Sequence, residues 1–168
     1  MYRNTMRRVK LAALMVLLGT TPLAGKTVGE FTKLPLPRFV SMKADEGNVR
    51  RGPGRNHKID WVFKHRYMPL QVVGEYEHWR RVVDIDGQGG WMHFRLLSGV
   101  RTVIVVSDKV ALRRKPYDNA EPAAFAEQGV IARLGECVVE WCRVSVQKRK
   151  GWVRKSDIWG VEEGEIRD

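Results

Sequence analysis

Few residues in this 168-residue chain are typed and spaced for chemistry. Four histidines, His57, His65, His78 and His93, share no metal-ligand spacing and fall in apparent loops and strands, so each is read as solvated or hydrogen-bonded imidazole. Asp84-x-Asp86-Gly87 resembles the start of a calcium loop. The remaining oxygen ligands are missing, because Gly87-Gln88-Gly89-Gly90 follows, and a hairpin turn is expected there instead. No Ser stands in a nucleophile-elbow motif, no paired carboxylates are evident, and neither cysteine has a His beside it. Neither catalysis nor a metal or cofactor is expected.

The residues left are suited to binding. Arg50-Arg51 recurs as Arg113-Arg114. Two readings stand for Arg50 and Arg113: a shared structural pairing, or a cradle for carboxylate or phosphate, since guanidinium binds both in two-pronged fashion. Six tryptophans dominate the expected burial energetics: Trp61, Trp79, Trp91, Trp141, Trp152 and Trp159. A buried aromatic removes roughly 150–250 Å² from water, so Trp79, Trp91 and their counterparts are read as core. Trp61 and Tyr76 lie outside the repeated positions and are the candidates for an exposed aromatic groove. Cys137 and Cys142, the only cysteines, are expected to form a disulfide across a tight hairpin, with Cys137 near the place Tyr76 takes in the first copy.

These residues sit on an internal repeat. Val49-Arg50-Arg51-Gly52-Pro53 returns as Leu112-Arg113-Arg114-Lys115-Pro116, Trp79-Arg80-Arg81-Val82 as Trp141-Cys142-Arg143-Val144, and Gly90-Trp91-Met92 as Gly151-Trp152-Val153. The offset shrinks from 63 to 62 to 61, as small loop deletions would produce. Each copy reads as short strands broken by turn residues, the pattern of a small barrel or sandwich. Pro122 to Gln128 is expected to form at most one helical turn.

The first 25 residues differ. Arg3, Arg7, Arg8 and Lys10 precede the apolar run Leu11–Leu18 and a small-residue stretch, Gly19 to Gly25. This is the layout of a secretory signal peptide, and the run is too short for the roughly 20 residues a membrane-spanning helix needs. Removing it leaves 26 basic against 19 acidic residues. For an exported chain the anionic partners are envelope polymers, lipid headgroups or acidic protein faces rather than nucleic acid.

The ordered set of strand, Gly, acidic loop, Trp-x-Arg-Val, Gly-rich turn and Gly-Trp-Val resembles the bacterial SH3-like domain. More narrowly, the chain resembles exported tandem SH3-like proteins of Gram-negative bacteria. That likeness rests on Leu34-Pro35-Leu36-Pro37-Arg38-Phe39-Val40-Ser41, on Asn48-Val49-Arg50-Arg51-Gly52-Pro53-Gly54, and on the tail Trp159 to Glu165. The second copy departs from it by having Lys115-Pro116-Tyr117 where the Gly-Pro-Gly turn would be. The expected organisation is a signal peptide at 1–25, a linker at 26–36, SH3-like barrels at 37–99 and 100–161, and a tail at 162–168. The resemblance implies a non-catalytic periplasmic or secreted protein that binds peptidoglycan peptide or another envelope protein. An accessory subunit or regulator of a cell-wall enzyme is the alternative.

Overall fold

The computed structural model describes residues 27–168, so the expected signal peptide lies outside the described residues. A short hairpin comes first, β1 (Thr27–Val28) with β2 (Pro35–Leu36), inside the segment expected to be a linker. Seven strands follow: β3 (Arg38–Met42), β4 (Gly47–Arg50), β5 (Ile59–Phe63), β6 (Pro69–Tyr76), β7 (Trp79–Val83), β8 (Gly89–His93) and β9 (Leu97–Ser98). Seven more complete the chain: β10 (Thr102–Val105), β11 (Lys109–Arg113), β12 (Pro122–Glu127), β13 (Ile131–Cys137), β14 (Trp141–Val146), β15 (Arg149–Arg154) and β16 (Ile158–Trp159).

The two sheets are antiparallel and have the same order, β5-β4-β8-β7-β6-β3-β9 and β12-β11-β15-β14-β13-β10-β16. Repeated residues take matching registers. Arg50 lies opposite Trp91 as Arg113 lies opposite Trp152, and Trp79 faces His93 as Trp141 faces Arg154. The alternation of strand side chains explains the two cores. Met42, Val49, Leu70, Val72, Val82 and Met92 close over the first sheet. Val103, Val105, Leu112, Leu134, Val144, Val153 and Ile158 close over the second. The repeated glycine before each second tryptophan is required by a close crossing. A Cβ on Gly90 would stand 2.6 Å from the Arg50 carbonyl oxygen, and one on Gly151 2.6 Å from the Leu112 carbonyl carbon.

Pro122–Glu127 is a strand, not the expected helical turn. Its residues pair with β11 from Lys109 to Arg113. A waiting edge strand supplies the backbone partners that the helix-favouring Ala-Ala-Phe-Ala-Glu would otherwise find locally. The Asp84 turn forms as expected: Asp84 Oδ1 accepts from the N–H groups of Asp86 at 3.0 Å and Gln88 at 2.8 Å.

The modules touch through side chains. Phe39 meets the Trp159 ring edge-on at 5.1 Å, Arg101 lies over Phe39 at 5.5 Å, and Thr102 Oγ1 donates to the Tyr67 carbonyl at 2.7 Å. No helix among the described residues is long and apolar enough to cross a membrane.

Candidate functional site

The sequence candidates separate in space. Trp61 sits on β5 opposite Val49, at one edge of the first sheet, and is half exposed. Tyr76 ends β6 opposite Trp79, with β4, β8 and β7 between it and β5 in the sheet order. Arg50 is occupied by its own loop, where Nη1 donates to the carbonyls of Arg55 at 3.0 Å and His57 at 2.7 Å. Arg113 repeats the arrangement, donating from Nη1 to the Ala120 carbonyl at 2.8 Å.

Cys137 and Cys142 form a disulfide between directly paired residues of β13 and β14, their Cα atoms 4.1 Å apart. The first-copy counterpart of Cys137 is Glu75, next to Tyr76. The pair Cys137–Cys142 corresponds to the pair Glu75–Arg80, both offset by 62. Each β6-type strand carries the same irregularity, between Val72 and Gly74 and between Leu134 and Cys137, so the two copies stay in one register across it.

The covalent bridge of one module is thus an ionic one in the other. The Glu75 side chain is 1% exposed. It accepts from Thr32 N–H at 3.0 Å, Thr32 Oγ1 at 2.6 Å and Arg38 Nη2 at 2.7 Å, with Arg80 Nε at 3.6 Å. Burial raises the Glu75 pKa, but the hydrogen bonds from Thr32 and Arg38 and the Arg38 charge outweigh it and hold the carboxyl at about 2. Burial lowers the Arg80 pKa, opposed by the Glu75 charge.

Around this pair runs an open groove of about 440 Å³, lined by Arg38, Arg80, Arg101 and Arg167 together with Phe39 and Phe94. It continues past Arg80 and Phe94 into a shallower space of about 580 Å³ bounded by Phe31 and His78. Phe31, Tyr76 and Phe94 are all exposed, and Phe31 meets the Tyr76 ring at 5.9 Å. His93 packs against Trp79 and Phe94 with ring centres 5.5 and 5.0 Å away. Burial first, then the charges of Arg95, His78, Arg55 and Arg80, pushes the His93 imidazole below its ordinary pKa. Phe31, Tyr76 and Phe94 make this wall aromatic. The floor carries four guanidinium groups, of which Arg38 and Arg80 share Glu75 and Arg101 pairs with Glu165. Buried Nε atoms of Arg101 and Arg167 have no hydrogen-bond partner among the described residues.

The matching face of the second module is covered by the chain's own tail. Arg101, the counterpart of Arg38, pairs with Glu165 at 3.0 Å. Lys155, the counterpart of Phe94, donates to the carbonyls of Glu163 and Glu165. Arg167 adds to the β13 edge: Cys137 N–H donates to its carbonyl at 2.7 Å, and its N–H donates to that of Cys137 at 3.0 Å. Cys137 is consequently buried, whereas Glu75 is partly exposed as a residue although its side chain is not, so solvent reaches the Glu75 main chain.

Individual sequence motifs did not disclose Arg38, Glu75, Arg80, Phe94 and Arg101. Aligning the two copies through their paired strands would have picked out Glu75, Arg80 and Phe94, which stand where the second copy has Cys137, Cys142 and Lys155, while Arg38 and Arg101 are alike and give no such signal. Among the described residues no group of three or more His, Cys, Asp or Glu is placed to hold a metal ion.

The bacterial SH3 domain family matches residues 43–99 and again 106–160. No curated protein matches the chain. Two solved structures from Trichomonas vaginalis resemble it loosely. They are NlpC2 (8% identity, 73% of this chain and 48% of that one, TM-score 0.34) and NlpC1 (7% identity, 78% and 48%, TM-score 0.33). The chain spans about half the length of each, and likeness at this level carries nothing about activity.

Proposed function

The chain belongs to the bacterial SH3 domain family, with two copies in tandem, and from that premise we propose that it is a non-catalytic binding unit of the cell envelope. Bacterial SH3 domains commonly bind cell-wall material. The ligand proposed here is an extended peptide bearing carboxylates, such as the peptide of peptidoglycan or a segment of an envelope protein. The proposed modules span 37–99 and 100–161, with 162–168 as tail.

One observation carries the reading: the chain's own tail bonds the Cys137 main chain of the second module, whereas in the first module the N-terminal hairpin holds the Glu75 side chain and leaves its main chain, among the described residues, without a backbone partner from outside the sheet. That tail adds to the β13 edge at Cys137 and places the Glu165 carboxylate on Arg101. A ligand strand adding at the Glu75 edge would use the same backbone bonding, a common mode of peptide recognition. Its side chains would meet Phe31, Tyr76 and Phe94, and its carboxylates the cationic floor. The exported location proposed with it rests on Arg3 to Gly25 and on the disulfide, which suits an oxidising compartment.

The test is co-sedimentation of the protein with purified peptidoglycan sacculi, and its capture by envelope extract. Tyr76→Ala with Phe94→Ala should lower retention at least tenfold while circular dichroism stays unchanged. Full retention by this double variant, or no retention of the parent protein by either material, overturns the proposal.

A further inference from the structure

The second module carries a charge pattern that the first lacks, on a different face from the groove. Strands β13, β14 and β15 enclose a hollow of about 370 Å³ lined by Arg133, Gly135, Glu136, Arg143, Ser145 and Lys150, over the buried side chains of Leu134 and Val144. Arg133 pairs with Ser145 and Ser145 with Lys150, so the three form one row across the sheet. Arg143 lies two residues from Ser145 and shares its face. Gly135 leaves the floor open, and a Cβ there would stand 3.1 Å from the Arg143 carbonyl oxygen. Lys148 and Arg149 extend the cationic rim at the hairpin tip, both exposed.

The fold does not demand Arg133 and Lys150, whereas Arg143 recurs as Arg81 in the first module. In the first module the row equivalent to Arg133–Ser145–Lys150 is Gln71–Val83–Gly89, in the same register and without a cation. The cations are not consumed internally either. Among the described residues no carboxylate pairs with Arg133, Arg143 or Lys150.

We propose that this hollow binds a phosphate group, presented by a hydrophilic phosphate-bearing chain. Three cations against the single carboxylate Glu136 leave two surplus positive charges. A carboxylate supplies one negative charge, whereas a phosphate monoester supplies about 1.5–2 and three acceptor oxygens. Two guanidinium groups, a lysine point charge and the Ser145 hydroxyl furnish donors for those oxygens. Leu134 and Val144, the apolar residues of the lining, are buried, so the hollow offers nothing to insert into a bilayer. That selects a soluble polyanion over a lipid surface.

The experiment is an NMR titration of the isotope-labelled full chain with inorganic phosphate, a short polyphosphate and acetate, alongside flotation with phosphatidylglycerol and phosphatidylcholine vesicles. Phosphate should shift the amides of Gly135, Ser145 and Lys150 while Gln71, Val83 and Gly89 stay put. Polyphosphate should bind at least about tenfold more tightly, and more weakly as salt rises. Arg143→Gln and Lys150→Gln should each weaken polyphosphate about tenfold with an unchanged thermal midpoint. Arg133→Gln serves if either of those unfolds. The proposal is overturned by an equal response to acetate, by shifts spread equally over both modules, by unchanged affinity in the variants, by no saturable shift, or by binding confined to phosphatidylglycerol vesicles.

Discussion

Replacing Glu75 by Gln removes one charge from a buried site with three partner residues, Thr32, Arg38 and Arg80, without changing its shape. Arg38 and Arg80, 17% and 10% exposed, then face each other with no counter-ion between them. Breaking a buried pair by neutralising one partner costs about 3–5 kcal/mol, and the partial exposure of Arg38 places the expectation near the lower value. The pKa yields a second figure. A carboxyl held at about 2 instead of its ordinary 4.5 contributes on the order of 3 kcal/mol to folding at neutral pH. Because the folded-state value is the lower one, that stability is fully present above about pH 5. It is lost as pH falls from about 4.5 through about 2. A module of about 60 residues has roughly 3–9 kcal/mol in total, so the loss is a large fraction of it. The assay is urea unfolding of the wild type and Glu75→Gln at pH 7, 5 and 3. The variant should be about 3 kcal/mol less stable at pH 7, and the gap should narrow toward pH 3. Glu165 and Asp118, also held below their ordinary values, contribute an acid slope common to both proteins and cancel in the difference. A variant within about 0.5 kcal/mol of wild type at pH 7, or a gap that does not change with pH, would show that the Glu75 carboxylate does not hold the two arginines together.

Reducing Cys137–Cys142 should cost about 2 kcal/mol, the loop-entropy figure for so short a closure, and loosen second-module amides while those of Leu70 and Val82 keep their exchange rates. In the intact protein the Glu75 amide should exchange faster than that of Cys137, and deleting residues 162–168 should abolish the difference by exposing Cys137. Equal rates before deletion would contradict the account of the open edge. Arg50→Ala and Arg113→Ala should each lower stability by about 1–2 kcal/mol through loss of loop carbonyl bonds, with sacculus binding unchanged. A binding loss at constant stability would restore the anion-cradle reading.

The repeat, its strand content and the turn at Asp84 were legible from residue order alone, because alternation, Gly placement and Trp spacing are local signals that each strand carries for itself. The disulfide was legible too, since two cysteines flanking a short hairpin have few other options. The groove was not. Its floor joins Arg38, Glu75, Arg80 and Arg101, which meet only when β3, β6, β7 and the start of β10 assemble, and its covered twin depends on a tail folding back onto β13. The Ala-rich stretch at Pro122 failed for the same reason, since its conformation is set by β11 beside it. Residue order is enough to dictate that two similar β modules form. Which of them leaves an edge open, and which closes it with its own chain, was decided by tertiary structure, because an edge strand's backbone groups are satisfied by whatever segment the fold brings alongside.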